Sequence, residues 1–312
     1  MGGKLDKVIF PAPSPSYYAQ EDFEDNGGKL IYVPKAAEES KNYSSGGILS
    51  CVKGLDTEDN PFDYTDTFPC YYIPCLTGSD KVVVYFHGNG EDLGYATDVL
   101  REIVRIMKCH AIALEYPAYG VCFEEKADAF EIKKRALSLQ KYLSEAFGFK
   151  EKNIILYGRS IGSGVATYVA SRMNPGLVIL HSPYSSIGSV ALQITKLYYI
   201  PKVFIKERFD SKNCIKNIKC PIYITHGKVD DIIPINEAEK LIEEIEKYDI
   251  PLKYDFWEGK GHNDMHMEDE VFHPALQFME EQSFKINSKT SKKNLQNFEL
   301  AKFIEDQSKA AF

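Results

Sequence analysis

The sequence predicts an α/β protein, with one mostly parallel central sheet covered by helices on both faces. The main observation is an alternation that begins at Lys81. Short apolar runs at Val82–Phe86, Ala111–Leu114, Ile154–Tyr157, Leu177–Leu180, Ile222–Thr225 and Leu252–Phe256 are separated by longer amphipathic segments. Continuous apolar strands spaced by helices indicate a sheet buried on both sides. The second observation is size: 312 residues, 44% of them hydrophobic, suffice for one large core. The helices are expected near 94–107, 127–147, 163–173, 188–199, 236–248 and 270–282.

Taken in order, residues 1–28 form a Pro-rich arm, because Phe10-Pro-Ala-Pro-Ser-Pro15 blocks regular hydrogen bonding. Residues 29–284 are expected to form the α/β domain, opening with Leu30–Val33 and Phe68–Ile73 as antiparallel strands at one sheet edge. An apolar stretch over 187–205 suits either a pocket wall or an ordinary covering helix. Residues 285–312 read as a solvated linker and an amphipathic tail, a pattern that more often packs on its own domain than anchors to a membrane or a partner.

Composition narrows the function. A net charge of −8, with no basic stripe, argues against a nucleic-acid partner. The chain has neither a run of about 18 apolar residues nor a secretory leader, so a cytoplasmic protein is expected. Its 7 cysteines lack paired metal-ligand spacing, which favours reduced thiols; Cys70 and Cys75 are weighed as a bridged or redox-active pair against plain half-buried strand positions.

The chemistry centres on Gly158-Arg-Ser-Ile-Gly162, where an apolar strand stops and a helix follows at once. G-x-S-x-G in that context puts a serine on a sharp turn, with glycines where side chains would collide. Ser160 is therefore the candidate nucleophile. A serine hydroxyl needs an imidazole to take its proton and a carboxylate to fix the imidazole tautomer. In α/β-hydrolases these follow in the order Ser, acid, His. Strand Ile222–Gly227 runs into Asp230, and strand Lys253–Trp257 runs toward His262. Asp231 is the rival acid and His266 the rival base. His262 and His266 also spell H-x-x-x-H, but the zincin glutamate is missing, so no metal is expected. Oxyanion donors are expected at the backbone N–H of Ile161, after the nucleophile, and of Asn89, in the loop His87-Gly-Asn-Gly90. His87 reads as a structural histidine of that loop. Arg159, inside the turn, has no explanation from sequence.

The segments His87-Gly-Asn-Gly-Glu-Asp-Leu-Gly94, Glu115-Tyr-Pro-Ala-Tyr-Gly120, Tyr157-Gly-Arg-Ser-Ile-Gly-Ser-Gly164, His181-Ser-Pro-Tyr184, His226-Gly-Lys-Val-Asp-Asp231 and Gly261-His-Asn-Asp264 occur in the order found in serine hydrolases of the α/β-hydrolase superfamily. Over about residues 68–282 the chain resembles the α/β-hydrolase domain-containing protein 17 group. That resemblance implies an α/β-hydrolase fold, removal of palmitoyl groups from cysteines of membrane-associated proteins, and no cofactor. It places nucleophile, acid and base at Ser160, Asp230 and His262, and the oxyanion donors at Ile161 and Asn89. Animal members of the group carry a palmitoylated N-terminal cysteine cluster, whereas the first cysteine here is Cys51. Gly2 permits N-myristoylation, although Asp6 stands where the motif prefers Ser or Thr. Peripheral membrane association enters the reading on this basis.

The expected activity is hydrolysis of an ester or thioester through an acyl-enzyme, with S-palmitoylated proteins as the substrate that the resemblance implies. A carboxylesterase or serine peptidase acting on small substrates would use the same residues, and a non-catalytic binding module is the third class. Oligomeric state is not legible.

Overall fold

The computed structural model describes residues 12–14, 16, 18, 27–36, 62–190 and 208–288. Its centre is an 8-stranded sheet in the order β1-β2-β4-β3-β5-β6-β7-β8. The strands are β1 (Lys29–Ala36), β2 (Phe62–Ile73), β3 (Val82–Phe86), β4 (His110–Leu114), β5 (Ile154–Arg159), β6 (Leu177–His181), β7 (Ile222–Gly227) and β8 (Leu252–Trp257). β2 pairs antiparallel with both β1 and β4, and every pairing from β4 to β8 is parallel. All positions of β3 through β7 are buried, as their uninterrupted apolar runs require.

The helices are α1 (Leu93–Glu102), α2 (Ala129–Glu145), α3 (Ile161–Ala170), α4 (Ser211–Ile215), α5 (Asn236–Ile245) and α6 (His273–Glu281). Strand alternation divides the core. Val82, Val84 and Phe86 point to one face, where Ile132, Leu139, Val165, Val169 and Leu241 from α2, α3 and α5 cover them. Val83 and Tyr85 point to the other, under Leu93, Ala96 and Leu100 of α1 and Phe278 of α6. Among the described residues no helix is long and apolar enough to cross a membrane. None of the six described cysteines is bridged; Cys70 and Cys75 are both buried thiols.

Several boundaries differ from expectation. α3 starts at Ile161 rather than 163, because the turn at Ser160 feeds directly into it. The segment predicted as helix 94–107 leaves α-geometry at Ile103–Met107, a π-helical turn, and a second such turn at Met267–Phe272 precedes α6. α4 was not anticipated, because five residues are too few to show helical periodicity. Of the apolar stretch 187–205, only a helical turn at 187–190 is described; the pocket-wall reading and the helix over 188–199 otherwise lie outside the described residues, as do Gly2 and the tail from 289.

Both ends of the domain make contacts beyond the predicted limits. Ser16 Oγ donates to Asp92 (2.7 Å), and Tyr18 Oη donates to buried Glu115 (2.6 Å) while accepting from Val121 N–H (3.2 Å). At the other end, Asn287 N–H donates to Asp80 (2.9 Å), and Asp80 N–H returns a bond to Asn287 O (3.0 Å). The arm thus seats part of its length beside the start of α1.

Candidate active site

β5 carries Gly158 and Arg159 to the carboxyl edge of the sheet, and the chain then reverses through Ser160 at φ 54° and ψ −121° into α3. A non-glycine residue at positive φ is strained, and here the surroundings enforce it. Ser160 N–H is held by His181 O (2.9 Å), and Ser163 N–H and Oγ both donate to Ser160 O (3.0 and 2.6 Å). A Cβ at Gly158 would lie 2.4 Å from Gly162 O, and one at Gly162 only 2.0 Å from Phe86 O and 2.8 Å from His87 O. The missing side chain at Gly162 thus lets the start of α3 approach the backbone of Phe86 and His87. Gly162→Ala is expected to destabilise by at least about 1–3 kcal/mol, as overpacking against fixed backbone does, and to lower turnover through displacement of Ser160. Denaturant titration together with ester hydrolysis checks both effects.

Three sequence-predicted residues meet here. His262 Nε2 lies 3.0 Å from Ser160 Oγ, and its Nδ1 lies 2.7 Å from Asp230 Oδ2. All three are buried, between 6% and 7% exposed, so water competes little for these bonds. The rivals lie elsewhere. Asp231 is exposed, and exposed His266 faces Asp269 at 3.1 Å.

Asp230 is fixed by four neighbours. Its Oδ1 accepts from Ile232 N–H (3.0 Å) and Ile233 N–H (2.7 Å), and its Oδ2 faces His262 and also His226 Nε2 at 3.3 Å. Burial pushes the carboxyl upward, but the bonds from His226 and His262 and the attraction to His262 outweigh it, so Asp230 is held well below the usual carboxylate range. Nothing in the sequence marked His226 as a support for the acid.

Ile161, 3% exposed, opens α3, where the first backbone N–H groups lack helical acceptors. Asn89 sits in the loop after β3, and its Oδ1 accepts from Tyr119 Oη (2.8 Å). His87 stacks on Tyr116 with ring centroids 3.8 Å apart and lies 3.5 Å from Glu115, while Tyr116 Oη donates to His87 O (3.1 Å). It therefore braces the loop that carries Asn89. Beside His262 opens a small cleft lined by Tyr95, Val99, Arg159, His181, Met265 and Met267. Among the described residues no group of His, Cys, Asp or Glu is arranged to hold a metal ion.

Two buried histidines give an acid-stability prediction. Burial lowers the His110 pKa, and burial together with the nearby Arg159 charge lowers that of His181 well below its ordinary value. Below about pH 6.5 the unfolded chain protonates these rings while the folded protein does not. Stability is then lost as pH falls, by up to about 1.4 kcal/mol per pH unit for each group. Asp230 and Glu237, both lowered, stabilise above about pH 4 and add their loss only below it. The melting temperature is expected to start falling near pH 6.5, before the carboxylates titrate; a constant value from pH 7 to 5 would contradict this.

Comparison with known proteins agrees with this architecture. The family model for the dienelactone hydrolase family matches residues 115–297, a span that includes Ser160, Asp230 and His262. The chain belongs to the dienelactone hydrolase family. This makes it an α/β-hydrolase-fold protein of a hydrolase family. It is 26% identical over 285 residues to the human alpha/beta hydrolase domain-containing protein 17B, covering 90% of this chain and 92% of that one. It is 29% identical over 290 residues to protein 17C of Xenopus tropicalis, covering 88% of each. Against the Caenorhabditis elegans alpha/beta hydrolase domain-containing protein aho-3, identity is 27% over 264 residues, covering 84% of this chain and 74% of that one. Among solved structures it superposes on the Pyrococcus furiosus esterase Pf2001 with a TM-score of 0.57 at 16% identity, covering 86% of this chain and 92% of that one. The Thermogutta terrifontis esterase Est2 gives 0.52 at 15%, covering 70% and 91%. At these identities the two structures speak to fold alone.

Proposed function

We propose that this member of the dienelactone hydrolase family is a serine hydrolase that cleaves an ester or thioester through an acyl-enzyme on Ser160. The observation that carries the reading is the continuous line Asp230–His262–Ser160, at 2.7 and 3.0 Å, on a serine held at positive φ. Ser160 Oγ attacks the acyl carbonyl as His262 Nε2 accepts its proton, and the Asp230 carboxylate stabilises the imidazolium. The N–H groups of Ile161 and Asn89 receive the oxyanion. His262 then gives its proton to the leaving thiol or alcohol, and water activated by the same ring releases the acid.

Within that chemistry we favour an S-acylated cysteine of a membrane-associated protein as substrate. Support comes from the motif resemblance and from similarity, over most of the chain, to the domain-containing protein 17 relatives. The test is a series of acyl thioesters from C2 to C16. Rising kcat/KM with chain length, and release of palmitate from an S-palmitoylated peptide, are the expected results. A preference for acetyl or butyryl esters would instead point to a small-substrate esterase.

A further inference from the structure

The buried Arg159–Glu91 ion pair is not used by the proposed chemistry, yet it touches three of the four segments that carry it, all but the Asp230 turn. Arg159 is the residue before the nucleophile, and its Nη1 pairs with Glu91 Oε1. Its other terminal nitrogen, Nη2, donates to His262 O (3.1 Å) and to Asn263 Oδ1 (2.6 Å), in the loop that presents the base. Glu91 stands two residues after Asn89, and its Oε2 accepts from Gly88 N–H (3.0 Å) and from Tyr85 Oη (2.8 Å). Both members are buried, Arg159 to 9% and Glu91 to 4% exposure. Gly88 is needed for this packing, since a Cβ there would come 2.8 Å from Glu91 Oε1 and 3.2 Å from Arg159 Nη1.

We propose that Arg159 and Glu91 act as a positioning pair that fixes the oxyanion loop and the His262 loop relative to Ser160. The inference rests on the serine-hydrolase reading above and adds to it the residues that set its geometry. A planar guanidinium suits this place because one rigid group can bond a carboxylate on one side and a carbonyl and an amide on the other. Lysine presents a point charge and cannot span the same set. A buried ion pair is weak support for stability; what it supplies here is a link, since Arg159 Nη1 and Nη2 and both Glu91 oxygens are each bonded to a different part of the site. Misplacement of the reacting groups by about 1 Å can cost on the order of 10²-fold in rate, so that is the scale expected for loss of the pair.

The test compares Arg159→Met, Glu91→Leu and the double variant, with Arg159→Lys as the conservative change and Ser160→Ala as control. Each single variant leaves a buried charge unpaired and should melt lower. The double variant removes both charges and should recover part of the lost melting temperature, short of wild type because Gly88 N–H and Tyr85 Oη lose their acceptor, while kcat stays about 100-fold down and KM changes little, because the lost geometry matters only in the transition state. Arg159→Lys should fall between. A double variant that is as stable and as active as wild type would overturn the proposal and reduce the pair to packing. Should none of these variants fold, Asn263→Ala decides: a lower kcat at unchanged KM supports positioning of the base loop, and an unchanged kcat overturns it. Full activity in Ser160→Ala would refute the hydrolytic reading itself, an outcome distinct from failure of the pair.

Discussion

Replacing Ser160 with alanine is expected to lower ester turnover by about 10⁴- to 10⁶-fold, the range seen when a triad nucleophile is removed. The folded state should tolerate the change. Alanine accepts the φ of 54° no less well than serine, and the backbone bonds that hold the turn, to His181 O and from Ser163, do not involve the lost hydroxyl. What disappears is the atom 3.0 Å from His262 Nε2. Unchanged melting with activity near background, measured on p-nitrophenyl esters, is therefore the signature of a chemical role.

Asp230→Asn is expected to cost about 10⁴-fold in kcat, for a reason specific to its hydrogen-bond pattern. Oδ1 receives two backbone N–H groups, from Ile232 and Ile233, so an asparagine must keep its carbonyl oxygen there. Its NH₂ would then face His262 Nδ1, which lies 2.7 Å from Oδ2 in the native protein. A donor at that position makes Nδ1 the acceptor and moves the ring proton to Nε2, which can no longer receive the Ser160 proton. The exposed neighbour provides the control, since Asp231→Asn should change kcat by less than about twofold, as surface substitutions usually do.

Those predictions rest on residues that could be chosen from sequence, because the turn chemistry is local. Gly158 and Gly162 flank the serine within five residues, and the strands before Asp230 and His262 announce themselves as apolar runs ending at polar loops. The parallel sheet was legible for the same reason, its strands being uninterrupted over β3 to β7. What stayed hidden depends on distance along the chain. Arg159 finds Glu91 68 positions away and Asn263 104 positions away, and no periodicity links them. Tyr18 is one aromatic residue in a Pro-rich arm, and only the fold reveals that Glu115, 97 positions on, accepts its hydroxyl. His226 looked like part of a strand end; its ring supports Asp230 because β7 and the following turn fold back within four residues. The π-helical turn at Ile103–Met107 is invisible to an apolar pattern that continues through it unchanged, and the one at Met267–Phe272 begins in an acidic run ahead of the last helix's apolar pattern.

Acylation of Ser160 is the step on which the proposed chemistry turns. Treating the protein with a fluorophosphonate probe and mapping the adduct by peptide mass spectrometry tests this directly. One stoichiometric adduct is expected, on the peptide containing Ser160, forming together with loss of esterase activity. An adduct on another residue, or hydrolysis that persists with Ser160 fully modified, would contradict it.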